Sequence, residues 1–213
     1  MRFVAPTRDY AAYIFDCDGT LVDSMPLHFR AWRHALQSHA ASFDFDWELF
    51  VSRAGMPLEE TVEALNLQFS TLLDPRQVVM LQLETYRSLI ATVVGIEPVV
   101  AFARQVATRA PLAIASGGQR SEVEMSLRNI GVLDLFRVIV AGNEVVRGKP
   151  DPEILLRCSA ALGVPPEGCL VIEDGALGIE AARRAGMDWV KVETLAPAPD
   201  AFDGVQAAQR QAR

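Results

Sequence analysis

Two kinds of hydrophobic pattern divide the chain. Residues 10–15 are all apolar or aromatic, which predicts a β-strand that is buried on both faces. From about residue 23 to residue 92 the apolar positions recur at helical spacing, and no strong strand pattern is present. After that, short apolar runs alternate with helical stretches up to residue 192. This order predicts an α/β protein with a doubly wound parallel sheet, a Rossmann-like core, and a helical insertion after the first strand.

The predicted insertion contains four helices. They are expected over residues 26–40, 45–52, 58–65 and 75–92. Asp23 or Ser24 is the expected N-cap of the first helix. The last helix is expected to bury one apolar face, formed by Val79, Leu83, Tyr86 and Ile90.

The remaining elements alternate along the chain. Helices are predicted over residues 97–108, 121–129, 151–162 and 175–185, and Asp151 is the expected N-cap of the third. Strands are predicted over residues 112–115, 138–140, 169–172 and 189–192. We therefore divide the chain into an α/β core of residues 1–22 and 93–213 and a helical cap of residues 23–92. Because the cap follows the first strand directly, we expect it to cover the ligand end of the sheet.

Composition limits the classes of partner. The chain has 213 residues and a formal net charge of −7, which argues against nucleic acid or an anionic membrane surface as a partner. No apolar run approaches the roughly 20 residues that span a bilayer, and the first ten residues do not resemble a signal peptide. Cys17, Cys158 and Cys169 are odd in number and unclustered, which indicates free thiols in a reducing compartment. We expect a cytoplasmic protein, and a monomer.

Candidate chemistry starts where the first strand ends. Asp16 and Asp18 stand one residue apart, and Gly19 allows a tight turn directly after them. Two carboxylates this close need a counter-charge, most simply a hard divalent cation. A calcium loop of the EF-hand type also begins with alternating Asp. It would require Gly and Glu where this chain has Leu21 and Leu27, so that alternative fails.

The later strands also end in polar residues. Ser116 and Gly117 follow the second strand and offer a hydroxyl and a free backbone N–H. Lys149, after the third strand, is suited to contact a phosphoryl oxygen. Glu173 and Asp174 end the fourth strand, and beside the first acidic pair they need a cation such as Mg²⁺. A nucleophile candidate, a second acid, a lysine and a metal are what phosphoryl transfer requires.

The order of these motifs resembles the haloacid dehalogenase-like phosphohydrolase superfamily. The matching pieces are residues 16–24, Ser116, residues 148–152 and residues 173–182, and together they span nearly the whole chain. The helical insertion is similar to the small α-helical cap of the branch that holds β-phosphoglucomutase and sugar phosphatases. The stretch 28–32 is the local reason for choosing that branch.

The resemblance implies a role for each core residue. Asp16 would attack phosphorus and form an aspartyl-phosphate, while Asp18 would protonate the leaving oxygen and then activate the hydrolytic water. The phosphoryl group of a small phosphorylated metabolite would be held by Ser116, the Gly117 backbone and Lys149. Mg²⁺ would be held by Asp16, the Asp18 backbone carbonyl and Asp174, with Glu173 as a ligand directly or through water.

The cap decides between a phosphatase and a mutase. In the branch, mutases carry a Lys-Gly pair in a cap loop, an arginine three residues later and a lysine on the last cap helix. Here Ala54 and Leu58 occupy the loop positions, and Gln82 falls about where the helix lysine is expected. Their absence favours hydrolysis, because a mutase must grip a second phosphate. Arg53 could supply a compensating charge, so mutase activity stays open as the alternative.

Three cap residues are candidates for substrate contact: His28, Arg53 and Gly55. His28 could equally be a polar residue at the start of a cap helix, and Trp32 is expected to pack in the cap core. A third hypothesis is a metal-dependent, non-catalytic anion-binding module. It ranks last because both Asp16 and Asp18 are present.

Overall fold

A computed structural model describes residues 3–53 and 56–193. The strands β1 to β5 are Ala12–Phe15, Leu112–Ser116, Phe136–Ala141, Cys169–Glu173 and Asp188–Lys191. The α-helices α1 to α8 are Met25–Ser38, Trp47–Ser52, Leu58–Phe69, Pro75–Leu89, Glu97–Val106, Arg120–Asn129, Glu153–Leu162 and Ala176–Ala185. Short 3₁₀ turns cover Ile90–Thr92, Leu133–Leu135, Gly142–Glu144 and Pro166–Gly168.

All five strands are parallel and lie in the order β3-β2-β1-β4-β5. This arrangement confirms the predicted α/β class, since parallel neighbours require helical crossovers between them. β1 is the central strand, between β2 and β4. The carboxyl ends of β1, β2 and β4 therefore meet along one edge of the sheet, here called the carboxyl edge.

The two faces of the sheet bury different hydrophobic clusters. Along β1, Tyr13 and Phe15 belong to the cluster on one face, while Ala12 and Ile14 belong to the cluster on the other. All four residues are fully buried, as the uniformly apolar run predicted. Helices α5 and α6 contribute to the first cluster, and α7 and α8 to the second. The central strand is thus held from both sides.

The helices between β1 and α5 have a hydrophobic cluster of their own. Its members include Phe29, Trp32, Phe50 and Val62, so Trp32 packs in the cap as expected. Other residues of α1 and α4, such as Leu27 and Tyr86, join the core cluster instead. The exact boundaries of the two predicted domains stay a prediction.

The two chain segments that join the cap to the core run side by side. The Asp23 N–H donates to the Val94 carbonyl at 2.9 Å, and the Ile96 N–H donates to the Leu21 carbonyl at 2.8 Å. Val22 and Gly95 form an antiparallel bridge between these bonds. The segment that leaves the core and the segment that returns are therefore paired through their backbones.

The buried face of α4 differs from the prediction. Val78, Gln82 and Tyr86 are buried, whereas Val79 and Leu83, which the sequence pattern placed on that face, are partly exposed. The prediction is confirmed for Tyr86 and Ile90, which are buried, and is wrong for Val79 and Leu83 because it followed apolar residues. Tyr86 lies on the buried face of α4. The residue one helical turn before it on that face is Gln82, which is polar, so a search for apolar residues does not find it.

Of the two predicted N-caps, that of α1 is confirmed in position and that of α7 differs. Ser24 occupies the N-cap position of α1, but its side chain makes no capping hydrogen bond. Helix α7 begins at Glu153 with Pro152 as its N-cap, so Asp151 precedes the N-cap position by one residue. Its Oδ1 nevertheless accepts a hydrogen bond from the Glu153 N–H at 3.0 Å, which satisfies a first-turn donor.

Cys17, Cys158 and Cys169 are buried and form no disulfide, as predicted from their number and spacing. In the part of the chain that the structure describes, no helix has the length and apolar character needed to cross a membrane. The compartment in which the protein works stays a prediction.

Candidate active site

The carboxyl edge brings the predicted acidic residues together. Asp16 follows β1, and Glu173 and Asp174 stand at the end of the neighbouring strand β4. Each of these three residues offers a carboxylate oxygen, and the three oxygens lie within 4.8 Å of one another. Asp16 and Glu173 are buried, whereas Asp174 is partly exposed. Oxygen ligands at this spacing fit a hard divalent cation.

Lys149 reaches this cluster from the loop after β3. Its Nζ lies 2.7 Å from Asp16 Oδ1 and 2.6 Å from Glu173 Oε2. Burial alone would lower the pKa of Lys149, but the two carboxylates raise it above its usual value. Burial and the Glu173 carboxylate together raise the pKa of Asp16 despite the lysine. Three carboxylates against one ammonium leave an excess of negative charge that a cation would neutralise.

Asp174 is held by the turn that follows β1. The Thr20 hydroxyl donates a hydrogen bond of 2.7 Å to Asp174 Oδ1. Gly19 adopts a φ of +85°, and a Cβ built on it would lie 2.4 Å from Asp174 Oδ2. Glycine is therefore required here both for the backbone conformation and for space. Burial and the neighbouring Glu173 raise the pKa of Asp174 to about 6.

Both carboxylate oxygens of Glu173 accept hydrogen bonds. Oε1 accepts a hydrogen bond of 3.0 Å from the Gly175 N–H, and Oε2 is bound by Lys149. A Cβ built on Gly178 of α8 would lie only 2.0 Å from Glu173 Oε2. The first turns of α8 thus leave room for this carboxylate and keep it pointed at the lysine.

Asp18 is surrounded by hydrogen-bond donors rather than by metal-ligating carboxylates. Ser24 Oγ lies 2.6 Å from Asp18 Oδ1, and Ser116 Oγ lies 3.4 Å from Asp18 Oδ2. The Tyr86 hydroxyl and His28 Nε2 lie 3.5 Å and 3.7 Å from Oδ1. Burial would raise the pKa of Asp18, but the interactions with His28, Ser24 and Ser116 outweigh it and lower the pKa. The carboxyl group of Asp18 is thereby held in one orientation.

Three of the Asp18 contacts come from the predicted cap: Ser24 at its start, His28 and Tyr86. The rings of His28 and Tyr86 stack with their centroids 3.8 Å apart and an interplanar angle of 11°. His28 belongs to the first turn of α1 and Tyr86 to the last turn of α4. The structure therefore places the predicted cap candidate His28 next to a core carboxylate.

The end of β2 supplies the other predicted anion-binding groups. Ser116 is buried, and its Oγ accepts a hydrogen bond of 3.1 Å from the Gly118 N–H. Gly117 is exposed at the carboxyl edge. A Cβ built on Gly142 would lie 2.1 Å from the Gly117 carbonyl oxygen, so the loops after β2 and β3 pack backbone to backbone. No feature of the sequence predicted this second close approach.

Of the remaining cap candidates, Arg53 is bonded within the cap rather than to the core cluster. Arg53 is the C-cap of α2, and its guanidinium donates to the Gln68 side chain on α3. Its buried Nε has no hydrogen-bond partner among the described residues. Gly55 lies outside the described residues.

Three polar residues of the site were assigned no role in its chemistry from the sequence. They are Thr20, Ser24 and Tyr86. Thr20 and Ser24 belong to the motif that starts at Asp16, and their spacing from it was the available signal. Tyr86 was assigned to an apolar face, and its hydroxyl contact depends on how the cap packs on the core. Nothing in the sequence pattern signalled that contact.

The fold and this acidic, lysine-bearing edge define a class of enzyme. The family model for haloacid dehalogenase-like hydrolases matches residues 10–186. The chain belongs to this family, which confirms the resemblance drawn from its motifs and the prediction of a phosphohydrolase enzyme.

Individual relatives fall in the predicted branch. The fructose-1-phosphate phosphatase YqaB of Escherichia coli (strain K12) is 34% identical over 186 residues, 87% of this chain and 98% of that protein. The β-phosphoglucomutase of Bacillus subtilis (strain 168) is 29% identical over 184 residues, 83% of this chain and 80% of that protein. The crystal structure of CbbY from Rhodobacter sphaeroides with phosphate has a TM-score of 0.77 at 24% identity. It covers 92% of this chain and 91% of that chain, and this likeness shows the fold.

Proposed function

We propose that the protein is a Mg²⁺-dependent phosphatase. Its substrate is a small sugar phosphate or a related phosphomonoester, and it reacts through an aspartyl-phosphate on Asp16. The observation that carries this proposal is the cluster of Asp16, Glu173 and Asp174, whose oxygens lie within 4.8 Å of one another and which Lys149 joins. The phosphatase among the relatives supports the substrate class.

The donor set of the cluster fits magnesium. Carboxylate and carbonyl oxygens are the ligands that Mg²⁺ prefers, and it usually keeps waters and a substrate oxygen as well. We assign Asp16, the Asp18 backbone carbonyl and Asp174 to the metal, with Glu173 as a ligand directly or through water. When bound, the metal would supply positive charge against the phosphoryl oxygens and the acidic cluster.

The first half-reaction begins at Asp16. A carboxylate oxygen of Asp16 attacks phosphorus, the bond from phosphorus to the leaving oxygen breaks, and Asp18, which starts the cycle protonated, gives that oxygen its proton. In the second half-reaction Asp18 takes a proton from water, the water oxygen attacks phosphorus, and the bond to Asp16 breaks. Inorganic phosphate and the free carboxylate of Asp16 result.

Positive and hydrogen-bonding groups surround the place where phosphate would sit. Ser116 and the Gly117 backbone are assigned to the phosphoryl oxygens, together with the Lys149 ammonium. Lys149 already touches Asp16 at 2.7 Å, so it stands beside the nucleophile. The four donors around Asp18 hold the proton-transfer group in one orientation, which lowers the entropic part of the barrier.

A β-phosphoglucomutase-type transfer is the alternative. A mutase relative of similar identity supports it, but the residue types of the cap favour hydrolysis. Residues 20–95 contain no lysine, and the predicted cap arginine, Arg53, is bonded to Gln68. The positions where mutases of this branch carry their cap lysines and arginine hold Ala54, Gln82 and Leu58 here, and these offer a second phosphate no charge. A non-catalytic anion-binding role ranks last, because the nucleophile and the proton-transfer residue are both in place. Action as a monomer in the cytoplasm stays a prediction.

The test is phosphate release in the presence of Mg²⁺ from a panel of small phosphates. The panel contains fructose 1-phosphate, 6-phosphogluconate, glucose 6-phosphate and phosphoglycolate. β-Glucose 1-phosphate with glucose 1,6-bisphosphate is assayed separately for conversion to glucose 6-phosphate. We expect free phosphate from at least one monophosphorylated sugar, and loss of release after chelation by EDTA.

Conversion to glucose 6-phosphate without net phosphate release would contradict the phosphatase and establish the mutase. Release that persists in EDTA would contradict the metal assignment. No turnover of any compound, combined with Mg²⁺-dependent phosphate binding, would favour the anion-binding module.

A further inference from the structure

The loop that carries Lys149 runs from the end of β3 to the start of α7. Val145 packs against the hydrophobic cluster to which α7 and α8 contribute, and the Lys149 side chain is only 13% exposed. The three residues between them, Val146, Arg147 and Gly148, are exposed. Even the apolar Val146 is 92% exposed, so side-chain packing contributes little to holding this stretch in place.

The carboxylate of Glu153 binds this exposed stretch through its backbone. Glu153 is the first residue of α7, and its Oε1 accepts a hydrogen bond of 3.2 Å from the Val146 N–H. Its Oε2 accepts a second hydrogen bond, of 3.1 Å, from the Arg147 N–H. Hydrogen bonds to an ionised carboxylate are stronger than those between neutral groups. The Glu153 side chain is 19% exposed, so water competes little for these two bonds.

These bonds lie close to Lys149 along the chain. Arg147 precedes the lysine by two residues, and the Asp151 N–H donates to the Gly148 carbonyl at 3.0 Å, which closes the turn around it. Arg147 Nε also lies 3.2 Å from Asp151 Oδ2, but the arginine side chain is 72% exposed, so solvent screens that pair. The Glu153 carboxylate is therefore the most protected charged group that holds the backbone before the lysine.

We propose that Glu153 is a positioning residue that keeps the Lys149 ammonium against Asp16 by binding the backbone N–H groups of Val146 and Arg147. Glu153 acts through the lysine. A misplacement of about 1 Å in a reacting group can cost about 100-fold in rate, so the position of this loop matters for turnover. The inference rests on the proposed function, in which Lys149 binds a phosphoryl oxygen, and it identifies what holds that lysine in place.

The first test measures the environment of Lys149 without turnover. The chain has two lysines, Lys149 and the exposed Lys191, so Lys191 serves as an internal reference. Acetylation by an N-hydroxysuccinimide ester is followed at each lysine by mass spectrometry of peptides. Glu153→Gln keeps the size of the side chain and removes its charge. We expect it to raise the labelling rate of Lys149 relative to Lys191 by about 3- to 10-fold, because the loop opens more often.

The second test is a double-mutant cycle with Lys149→Met. Glu153→Gln alone should lower kcat/KM for the best substrate of the panel by about 10- to 100-fold. Because Glu153 acts through the lysine, adding Glu153→Gln to Lys149→Met should change kcat/KM by less than about threefold. A residue that only stabilises the fold would lower kcat/KM by the same factor in both backgrounds.

The matched control is Glu97→Gln. Glu97 is the exposed first residue of α5, so this variant removes the same charge from the start of a helix and the same interaction with the helix dipole. It should leave both the relative labelling of Lys149 and kcat/KM as they are. Thermal unfolding of both variants establishes that each is folded at the assay temperature.

Three results would overturn the proposal: unchanged labelling of Lys149 in Glu153→Gln, unchanged kcat/KM, or an equal fall in the Lys149→Met background. Failure of the proposed function would look different, because the wild-type enzyme would then release no phosphate from any compound. The labelling comparison does not depend on turnover. In that case it decides alone whether Glu153 holds Lys149, and equal labelling in wild type and Glu153→Gln would refute it.

Discussion

The core half and the cap half of the candidate site are built differently. In the core half, Asp16, Glu173 and Asp174 each have a partner at hydrogen-bond distance, and glycines leave space for their carboxylates. In the cap half, the amide of Gln82 and the Nε of Arg53 have no partner among the described residues. A half whose polar groups are all hydrogen-bonded in the absence of substrate is suited to the chemical steps that all substrates share. A half with unmet hydrogen bonds is suited to choosing among them.

The largest expected effect comes from the nucleophile. Asp16→Asn should lower phosphate release from every substrate by about 10⁴-fold or more, because the first half-reaction cannot begin. Its control is Asp134→Asn, an exposed carboxylate, which should retain full activity. Mg²⁺-dependent turnover that persists in Asp16→Asn would refute the aspartyl-phosphate scheme. A loss confined to one substrate would break the contrast between the two halves.

Removal of a proposed metal ligand comes next. In the wild-type protein, Mg²⁺ at about 100 times its Kd should stabilise the fold by about 2.7 kcal/mol, or about 5–10 °C in Tm. Asp174→Asn should lose most of that increase and reduce activity by at least about 100-fold. Thermal scans with Mg²⁺ and with EDTA measure the difference. An unchanged Mg²⁺ response in Asp174→Asn would remove this residue from the metal site.

A smaller effect is expected from the residue that orients the proton-transfer group. Ser24→Ala removes the hydroxyl that donates to Asp18 Oδ1 at 2.6 Å. Hydrogen bonds to a charged group contribute about 1.5–3 kcal/mol, so kcat should fall by about 10- to 100-fold for all substrates alike. Ser38→Ala, at an exposed position of the same helix, serves as the control. A change in KM alone would indicate that Ser24 contacts substrate instead.

The smallest effect concerns the contact between cap and core. Arg87 of α4 lies 3.0 Å from Glu122 of α6, but the arginine side chain is 54% exposed, so water and salt screen the pair. Arg87→Met should lower the free energy of unfolding by about 0.5–1 kcal/mol, measured in urea, with kcat for p-nitrophenyl phosphate retained. Arg128→Met, exposed on α6, is the control. Destabilisation that is insensitive to salt would show that packing of the arginine stem matters more than its charge.

The core half of the site could be predicted from the sequence because its residues sit at strand ends. An apolar run shows where a strand lies, and parallel strands bring their carboxyl ends to one edge, so Asp16 and Glu173 were predicted to meet. The structure confirms the sheet and the proximity of these carboxylates. The roles of the residues in catalysis stay predictions until the variants are measured.

The cap half could not be predicted to the same depth. Helical spacing identified α1 and α4, but it assigned Val79 and Leu83 to the buried face that Val78 and Gln82 in fact occupy. A one-residue rotation of a helix changes which side chains meet the core, and hydrophobicity alone cannot detect a buried polar residue. Contacts such as that between Tyr86 and Asp18 depend on helix packing, which no short motif encodes.

The paired segments that join cap and core have a further consequence. Their backbones are bonded through Asp23 and Val94 and through Leu21 and Ile96, so the chain enters and leaves the cap at one place. When the two ends of an inserted segment lie next to each other, the segment can be exchanged for another, because the order of the strands in the sheet does not depend on it. In protein engineering, the same two paired segments are the positions at which a cap from another protein would be joined to this core.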